Sequence, residues 1–320
     1  MRYRTLGSTG ILVSEVGFGA WGIGGRTAGN TSYGDTDDAQ SLEALHKAFD
    51  CGMTFFDTSA AYGDGHSEEL IGRAFAGRRQ DVVIATKAGY DDWTRPPDFS
   101  PQAIERSAEA SLRRLGTDYL DVLQLHNPPS EVLAADDARQ ALERLVAAGK
   151  IRTWGISAKS PQMGLEALQR AQVPLLQANF NMMDVRALTS GLLDEAAGRG
   201  AAFIARTPLC FGFLSGTIDR HTVFLPGDHR GGWPRAQLDN WIDGASDLLA
   251  AVKASPGREG VLAALRFCLS FPAVSTTIPG ILGPTEAATN ALAGSLGALP
   301  PAAVEAVLAI NRNREFFAAP

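Results

Sequence analysis

The chain has 320 residues, of which 45% are apolar and 20% charged, and its formal net charge is −6. This length is long for an ordinary domain but normal for one α/β barrel, and the apolar fraction is enough to fill a sizeable core. No segment concentrates lysine and arginine, so the composition argues against nucleic-acid binding. No apolar run is long enough to span a bilayer.

The N-terminal segment MRYRTLGSTG contains no apolar run of the kind that a signal peptide needs. Its Gly-Ser-Thr-Gly turn between two short extended runs predicts a β-hairpin. The three cysteines, Cys51, Cys210 and Cys268, are far apart and lack metal-ligand spacing. We therefore expect neither a disulfide framework nor a metal site, and we expect a cytoplasmic protein with no membrane partner.

Short aliphatic or β-branched runs recur along the chain, with stretches of helical periodicity between them. The runs are continuously apolar, as in parallel strands that are buried on both faces. They are VGFGA (16–20), TFFDTS (54–59), VVIATK (82–87), LDVLQLH (120–126), IRTWGIS (151–157), LLQANF (175–180), AAFIART (201–207) and AVSTTIPG (273–280).

The intervening segments have the features of amphipathic helices. Before the second strand, Leu42 and Leu45 share one helical face, and Pro101 and Gly116 stand at the two ends of a later helix. A strand followed by a helix, repeated eight times, predicts an α/β fold of the (β/α)₈ TIM barrel type. We interpret residues 1–320 as one such domain.

Two further segments add to a minimal barrel. Residues 211–245 form a predicted long connection after the seventh strand, rich in Gly, Pro, Asp and Trp. Loops of that length are usually functional or mobile. The C-terminal stretch PPAAVEAVLAINRNREFF predicts an extra helix.

Gly17, Gly19 and Gly22 spell the G-x-G-x-x-G pattern of dinucleotide-binding folds directly after a strand. The residues that follow have no helical periodicity, so no helix N-terminus is available there to hold a pyrophosphate. We expect these glycines instead to let the chain pass close to a ligand at the barrel rim.

Four polar residues mark the ends of three neighbouring strands. Asp57 ends the second strand, with Tyr62 in the loop after it, while Lys87 ends the third and His126 ends the fourth. Such positions meet at the mouth of a barrel, where active sites lie. Each residue alone has a structural interpretation, as a turn cap, a core-edge aromatic, a surface lysine or a satisfied histidine. Four convergent ionisable groups are costly to bury without partners, so together they predict a catalytic site.

The stretches FFDTSAAYGDGHSEELIG, VVIATKAG, DYLDVLQLHNP and IRTWGIS together resemble the aldo-keto reductase superfamily, and the likeness runs from YRTLGSTG to IPGILGPTEAATN. The resemblance implies hydride transfer between a nicotinamide cofactor and a small aldehyde, ketone or sugar, without a metal. It implies that Tyr62 is the general acid and base, favoured as tyrosinate by the Lys87 ammonium, which Asp57 holds. His126 would orient the carbonyl oxygen.

The resemblance also implies an extended site for NAD(H) or NADP(H) across the barrel mouth. Ser157 and Gln177 would bind the carboxamide. Arg206 stands where an aromatic ring usually stacks on the nicotinamide, and a guanidinium plane can stack in the same way. Asn290 would lie near the adenine. The other implied cofactor-binding residues are Gly19, Pro208, Leu209, Gly212, Gly280 and Glu286.

Some positions depart from the family pattern. Ala158 replaces a common carboxamide-binding Asn, and Leu282 and Gly283 stand where a basic residue commonly holds the 2′-phosphate of NADP. Glu286 would repel that phosphate and accept a hydrogen bond from a free 2′-hydroxyl. Alternatively, Glu286 is a solvated residue that the helix dipole favours at a helix start. Residues 273–300 contain no Lys or Arg, so the sequence favours NAD(H).

Three tryptophans are candidates for the substrate pocket. The resemblance places Trp21 there, Trp93 follows the third strand, and Trp233 lies in the long connection beside His229 and Arg230. An aromatic side chain beside basic groups suits a polyhydroxylated or anionic small molecule. A packed surface excursion is an equally good interpretation of the connection.

Two other functions stay open at this stage. Lys87 would serve a barrel lyase as a Schiff-base nucleophile, which leaves Tyr62 and His126 without a role. A cofactor-sensing binding subunit, as in channel-associated relatives of the family, would keep the four polar residues but show little turnover.

Overall fold

The computed structural model describes residues 1–28 and 31–317. Its N-terminal hairpin consists of two antiparallel strands, β1 (Tyr3–Thr5) and β2 (Leu12–Ser14). Gly7 and Gly10 in the turn have φ angles of 50° and 75°, in the left-handed region that glycine adopts without a steric penalty. The predicted hairpin is therefore confirmed.

Eight parallel strands follow, and each pairs with the next strand in chain order. They are β3 (Phe18–Gly19), β4 (Phe55–Asp57), β5 (Val83–Ala88), β6 (Leu120–His126), β7 (Ile151–Ser157), β8 (Leu175–Asn179), β9 (Ala202–Arg206) and β10 (Val274–Ile278). Parallel bridges from Val16 to Thr277 and from Gly19 to Gly280 join the first strand to the last. The predicted TIM barrel is confirmed.

Helices surround the barrel. They are α1 (Asp38–Asp50), α2 (His66–Ala74), α3 (Pro101–Leu115), α4 (Ser130–Ala134), α5 (Asp136–Ala147), α6 (Pro161–Glu166), α7 (Arg186–Thr189), α8 (Leu192–Gly198), α9 (Arg235–Ala251), α10 (Arg258–Leu269), α11 (Pro284–Leu296) and α12 (Pro301–Asn313). Helix α3 begins and ends as its sequence predicts, with the Ser100 side chain accepting from the Ala103 amide and Gly116 left-handed at its end. Within the described ranges no single helix is long and apolar enough to cross a membrane, and only α11 and α12 taken together across a 114° bend meet that test.

The interior of the barrel changes from apolar to polar along its strands. An apolar cluster joins Leu6 and Val13 of the hairpin to barrel residues such as Phe55 and Val122. Side chains two residues apart point to the same face of a strand, and the next inward positions are polar. They are Asp57, Lys87, Gln124, His126, Ser157, Gln177, Asn179 and Arg206. One end of the barrel is thus a core, and the other is a layer of hydrogen-bonding groups.

The predicted connection over residues 211–245 is too long, because helix α9 begins at Arg235. Trp241, Ala245 and Leu248 are buried along one face of this helix, and this spacing is helical. The Gly- and Pro-rich part before residue 235 conceals that periodicity in the sequence. The predicted C-terminal helix is present as α12 but ends at Asn313, where the backbone turns extended.

The glycines of the G-x-G-x-x-G pattern are followed by a single 3-10 turn, Gly22–Gly24, and not by a long helix. Gly19 and Gly22 line a groove at the barrel mouth, and they also make room for neighbouring chain. A Cβ atom on Gly19 would lie 2.8 Å from the carbonyl oxygens of Ile278 and Pro279, and one on Gly22 would lie 2.5 Å from the Leu282 side chain. These glycines let β3 pack against the segment after β10.

Candidate active site

The polar layer of the barrel centres on a buried ion pair. Lys87 is fully buried, and its Nζ donates to Asp57 Oδ1 at 2.5 Å and to the Thr58 carbonyl oxygen at 2.7 Å. The second carboxylate oxygen, Oδ2, accepts from Nε2 of Gln177 at 2.7 Å and from Nε2 of Gln124 at 3.1 Å. Both charges are therefore desolvated and hydrogen-bonded, which is the condition for burying them together.

Tyr62 reaches this layer because two loops pack backbone against backbone. Gly63 has a φ of 62°, and a Cβ atom on it would overlap the Gly24 carbonyl oxygen. A Cβ on Gly24 would lie 2.8 Å from the Tyr62 carbonyl carbon. The Tyr62 ring centroid then lies 4.9 Å from Lys87 Nζ and 6.1 Å from the His126 ring centroid.

His126 contacts a serine hydroxyl through its Nδ1 atom. Its Nδ1 lies 3.4 Å from Ser59 Oγ, which itself accepts from the Ala61 amide at 3.2 Å. When the Ser59 hydroxyl donates to Nδ1, the proton of the neutral ring is on Nε2. The rings of Tyr90 and Trp93 pack on His126 at centroid distances of 5.5 and 5.4 Å.

Lys87 and His126, two basic side chains of this layer, have opposite pKa shifts. Burial disfavours the charged form of Lys87, but the charge of Asp57 and the interaction with Tyr62 outweigh it, so the pKa of Lys87 is raised. Burial, followed by the positive charges of Lys87 and Arg206, holds the pKa of His126 well below its ordinary value. A charged lysine therefore lies beside a neutral histidine near neutral pH. In the part of the chain that the structure describes, no cluster of His, Cys, Asp or Glu could hold a metal ion.

Arg206 extends the polar layer away from the ion pair. Its guanidinium donates to Asn179 Oδ1 at 2.8 Å, to Ser157 Oγ at 2.9 Å and to the Ala158 carbonyl oxygen at 3.0 Å. Ser157 donates to Gln177 Oε1 at 3.3 Å. Because Gln177 also donates to the buried carboxylate, a continuous chain of hydrogen bonds joins Arg206 to the ion pair.

A groove of about 610 Å³ runs from this layer to the start of α11. Most of the predicted site residues line it, namely Gly19, Trp21, Asp57, Tyr62, Gln177, Arg206, Pro208, Leu209, Gly212, Gly280, Glu286 and Asn290. Asn290 is buried, and its Nδ2 has no hydrogen-bond partner among the described residues. Buried amide donors are rarely left unpaired, so this end of the groove offers a polar group to a ligand.

The other predicted residues lie behind or beside the groove lining, and they are Lys87, His126, Ser157, Trp93 and Trp233. Trp21 lies 6.5 Å from the Tyr62 ring between centroids. Trp93 packs on His126, and its Nε1 is buried without a partner in the described chain. Trp233 packs on Phe211 and Trp241 at 4.9 and 5.0 Å. The structure thus brings Trp21 and Trp93 to the polar layer, whereas Trp233 is joined to Trp21 through His229, whose ring centroid lies 5.0 Å from Trp233 and 4.8 Å from Trp21.

Tyr33, Arg258 and Gln124 are among the residues of this region that sequence reasoning missed. Tyr33 and Arg258 line the groove, and Gln124 donates to the buried carboxylate. Arg258 is exposed, without a hydrogen bond or ion pair inside ranges 1–28 and 31–317. Gln124 carries a signal, since it interrupts an apolar strand two residues before His126 and therefore shares its face. No comparable pattern marks Arg258, which begins a helix far along the chain.

The profile of the Aldo/keto reductase family matches residues 15–312, so the chain belongs to that family, whose members are NAD(P)-dependent oxidoreductases. The aldo-keto reductase YhdN of Bacillus subtilis is 31% identical over 298 residues, which are 89% of this chain and 86% of that protein. A probable voltage-gated potassium channel subunit beta of Arabidopsis thaliana is 30% identical over 302 residues, covering 88% and 87%. The solved structure of the glycerol dehydrogenase AKR11B4 from Gluconobacter oxydans has a TM-score of 0.81 at 26% identity and covers 99% of this chain and 97% of its own.

The lowered pKa of His126 predicts that the stability of the protein depends on pH. The unfolded chain protonates His126 at about pH 6.5, whereas the folded site resists protonation because its pKa is lowered. The free energy of unfolding should therefore fall as the pH drops from 6.5 towards 5, with a limiting slope of about 1.4 kcal/mol per pH unit for one site. Urea denaturation followed by tryptophan fluorescence measures this slope.

The variant His126→Asn removes the titrating ring and should give a shallower slope over the same pH window. His221→Asn, which changes an exposed histidine, is the control and should keep the wild-type slope. Equal slopes for wild type and His126→Asn would contradict the buried neutral histidine.

Proposed function

We propose that this chain catalyses reversible hydride transfer between a nicotinamide cofactor and the carbonyl carbon of a small hydroxylated aldehyde or ketone. The observation that carries this proposal is the charged Lys87, held by Asp57 on one side and placed against Tyr62 on the other. A reduced nicotinamide, when bound in the groove, supplies the hydride. The residues of the chain then have to deliver a proton and stabilise the developing oxyanion.

Tyr62 is the proposed proton donor in the direction of reduction and the proton acceptor in the direction of alcohol oxidation. The Lys87 ammonium stabilises the tyrosinate that is left after donation, because an adjacent positive charge favours the anionic phenol. Asp57 holds that ammonium in place with its charge and its hydrogen bond at 2.5 Å. The Lys87–Asp57 ion pair thus stabilises the ionised form of Tyr62 and does not itself exchange the proton.

His126 is proposed to bind the carbonyl oxygen as a neutral donor. In this proposal the Ser59 hydroxyl donates to Nδ1, so the neutral ring carries its proton on Nε2. Its lowered pKa keeps the ring neutral, so it aligns the carbonyl without competing with Tyr62 as an acid. Trp21 and Trp93, which pack near these two rings, form the proposed apolar walls for the substrate.

The groove fits an extended dinucleotide. Arg206, fixed in plane by three hydrogen bonds, offers a flat cation at the nicotinamide end, and the unpaired Nδ2 of Asn290 suits a polar base at the other end. The Ser157 hydroxyl and the Gln177 amide are proposed to form hydrogen bonds with the carboxamide of the nicotinamide. Between these two ends, the groove is lined by Gly19, Pro208, Leu209, Gly212 and Gly280.

We infer that NAD(H) is the preferred cofactor. Glu286 Oε2 accepts from the Leu282 amide at 2.6 Å, as a helix-start residue does, but its carboxylate still lines the groove and would repel a 2′-phosphate. Arg258 is the opposing influence, since it is an unpaired cation that lines the same groove among the described residues. NADP(H) binding would therefore depend on Arg258.

The rim favours a neutral, hydroxylated substrate over an anionic one. Arg230 is already engaged, with its guanidinium bonded to Asp228 at 2.6 Å and to the Phe211 carbonyl oxygen at 3.0 Å. Burial lowers the pKa of His229, whose Nε2 is buried without a partner in the described chain. Neither side chain is then a free cation for a phosphate or carboxylate. The similarity to a glycerol dehydrogenase points in the same direction.

Two alternatives have weaker support. A Schiff-base lyase needs a neutral lysine, whereas the raised pKa of Lys87 keeps it protonated. The similarity to a channel beta subunit favours a cofactor-sensing role. Cofactor binding without turnover of any carbonyl compound would support that second role.

Tyr62→Phe removes the proposed proton donor and leaves the ring. Reduction of glyceraldehyde should slow by about 100- to 10,000-fold, which is the range of general acid–base catalysis, while cofactor binding stays nearly unchanged. The wild-type enzyme should also reduce glyceraldehyde with a higher kcat/KM than propanal, which lacks the hydroxyl groups. Loss of reduced-cofactor absorbance measures both rates.

Tyr90→Phe, a second tyrosine near His126, is the matched control and should remain active. Full activity of Tyr62→Phe would contradict the assignment of the acid. A preference for propanal would contradict the substrate class and leave the acid untouched.

Cofactor preference is measured by titrating the protein with NADH and NADPH and following fluorescence. NADH should bind more tightly than NADPH. Glu286→Gln should narrow the ratio of the two dissociation constants by roughly three- to tenfold, because it removes the carboxylate charge that repels the 2′-phosphate. A tenfold change corresponds to about 1.4 kcal/mol. Arg258→Ala should weaken the binding of NADPH more than the binding of NADH. A clear preference of the wild-type protein for NADPH would overturn this inference, and survival of that preference in Arg258→Ala would also remove the proposed role of Arg258.

A further inference from the structure

Gln124 is a fully buried amide in the interior of β6. It lies two residues before His126, so both side chains face the barrel interior, and its Cα pairs with that of Lys87 on β5. Two residues earlier on the same face, Val122 belongs to the apolar core of the barrel. Gln124 is therefore the first polar residue that β6 contributes to the layer around the ion pair.

The orientation of this amide follows from chemistry. An ionised carboxylate only accepts hydrogen bonds, so the nitrogen of Gln124 must face Asp57, and Nε2 lies 3.1 Å from Asp57 Oδ2. The amide oxygen, Oε1, is then buried with no partner in the described chain. A buried unpaired carbonyl costs stability, so an apolar side chain would suit a purely structural position better.

Gln124 and Gln177 share the same carboxylate oxygen but have different surroundings. Gln177 also accepts from Ser157, which is bonded to Arg206, and it lines the groove. The hydrogen bond to Asp57 is the contact through which Gln124 joins the polar layer. Gln177 and Gln124 both donate to Oδ2, but only Gln177 lines the groove. Gln124 thus lies behind the groove and outside the proposed carboxamide site.

We propose that Gln124 is a positioning residue that holds Asp57 Oδ2 and disperses its charge, so that the Lys87 ammonium keeps its effect on Tyr62. The inference rests on the proposed function of Tyr62. Without the Gln124 donor, the carboxylate charge is more localised and cancels more of the lysine charge. The tyrosinate form of Tyr62 then becomes less favourable, and kcat falls more than KM rises.

The test measures the ionisation of Tyr62 without cofactor or turnover. Tyrosinate difference absorbance is recorded against pH for wild type minus Tyr62→Phe, and for Gln124→Met minus the double variant Gln124→Met/Tyr62→Phe. The midpoint should rise by roughly half to one pH unit in Gln124→Met, because one charge-assisted hydrogen bond is lost. In assays of carbonyl reduction, the same variant should show a kcat about tenfold lower with a nearly unchanged KM.

Gln124→Asn is the second variant, because it keeps a buried amide if Gln124→Met folds poorly. Its side chain is one methylene shorter, which withdraws the donor from Asp57 Oδ2, so the midpoint should move in the same direction. Val122→Ala, on the same strand and face but in the apolar layer, is the control for a general core defect and should lower stability without moving the midpoint.

An unmoved midpoint in both Gln124→Met and Gln124→Asn would overturn the role of Gln124. This outcome is distinct from failure of the proposed function, which would appear as undiminished carbonyl reduction by Tyr62→Phe. A lower kcat with an unmoved midpoint would assign the defect to packing and would also overturn the proposal.

Discussion

A charged lysine inside a barrel is the constraint to which the rest of this site is fitted. Removing an ammonium from water is costly unless it is paired and hydrogen-bonded. Lys87 meets that condition through Asp57 and the Thr58 carbonyl oxygen, and the carboxylate is satisfied in turn by Gln124 and Gln177. The neighbouring strands carry polar residues at this height in the barrel, and these residues satisfy the hydrogen bonds of the ion pair. The groove lies on the open side of that network.

The loops at the barrel mouth bring the remaining groups to the ion pair. Backbone contact between Gly24 and Gly63 places Tyr62 over the lysine. At the rim, the carbonyl oxygen of Ser32 accepts from both the backbone amide and Nδ1 of His229, at 3.0 and 2.9 Å. These contacts join two loops that are distant in sequence and assemble an aromatic wall that includes Trp21. The loop contacts, and not the strands, therefore determine the shape of the proposed substrate pocket.

Much of this arrangement could be predicted from the sequence, because strand order and alternation are local properties. The eight strands, the hairpin and the convergence of Asp57, Lys87 and His126 all follow from apolar runs that end in polar residues. Contacts between loops have no periodic signal, so the separation of Trp233 from the polar layer and the arrival of Arg258 at the groove could not be predicted. Gln124 could have been, because a polar residue on the inward face of an apolar strand needs a partner.

Double replacement of the ion pair tests its central role most directly. Asp57→Asn leaves Lys87 buried without its counter-charge and should lower the free energy of unfolding by about 3 to 5 kcal/mol. Asp57→Asn combined with Lys87→Met removes both charges and should regain most of that stability while carbonyl reduction stays lost. Urea denaturation of the wild type and the two variants, each assayed for reduction, gives both quantities. An Asp57→Asn variant as stable and as active as the wild type would contradict the account.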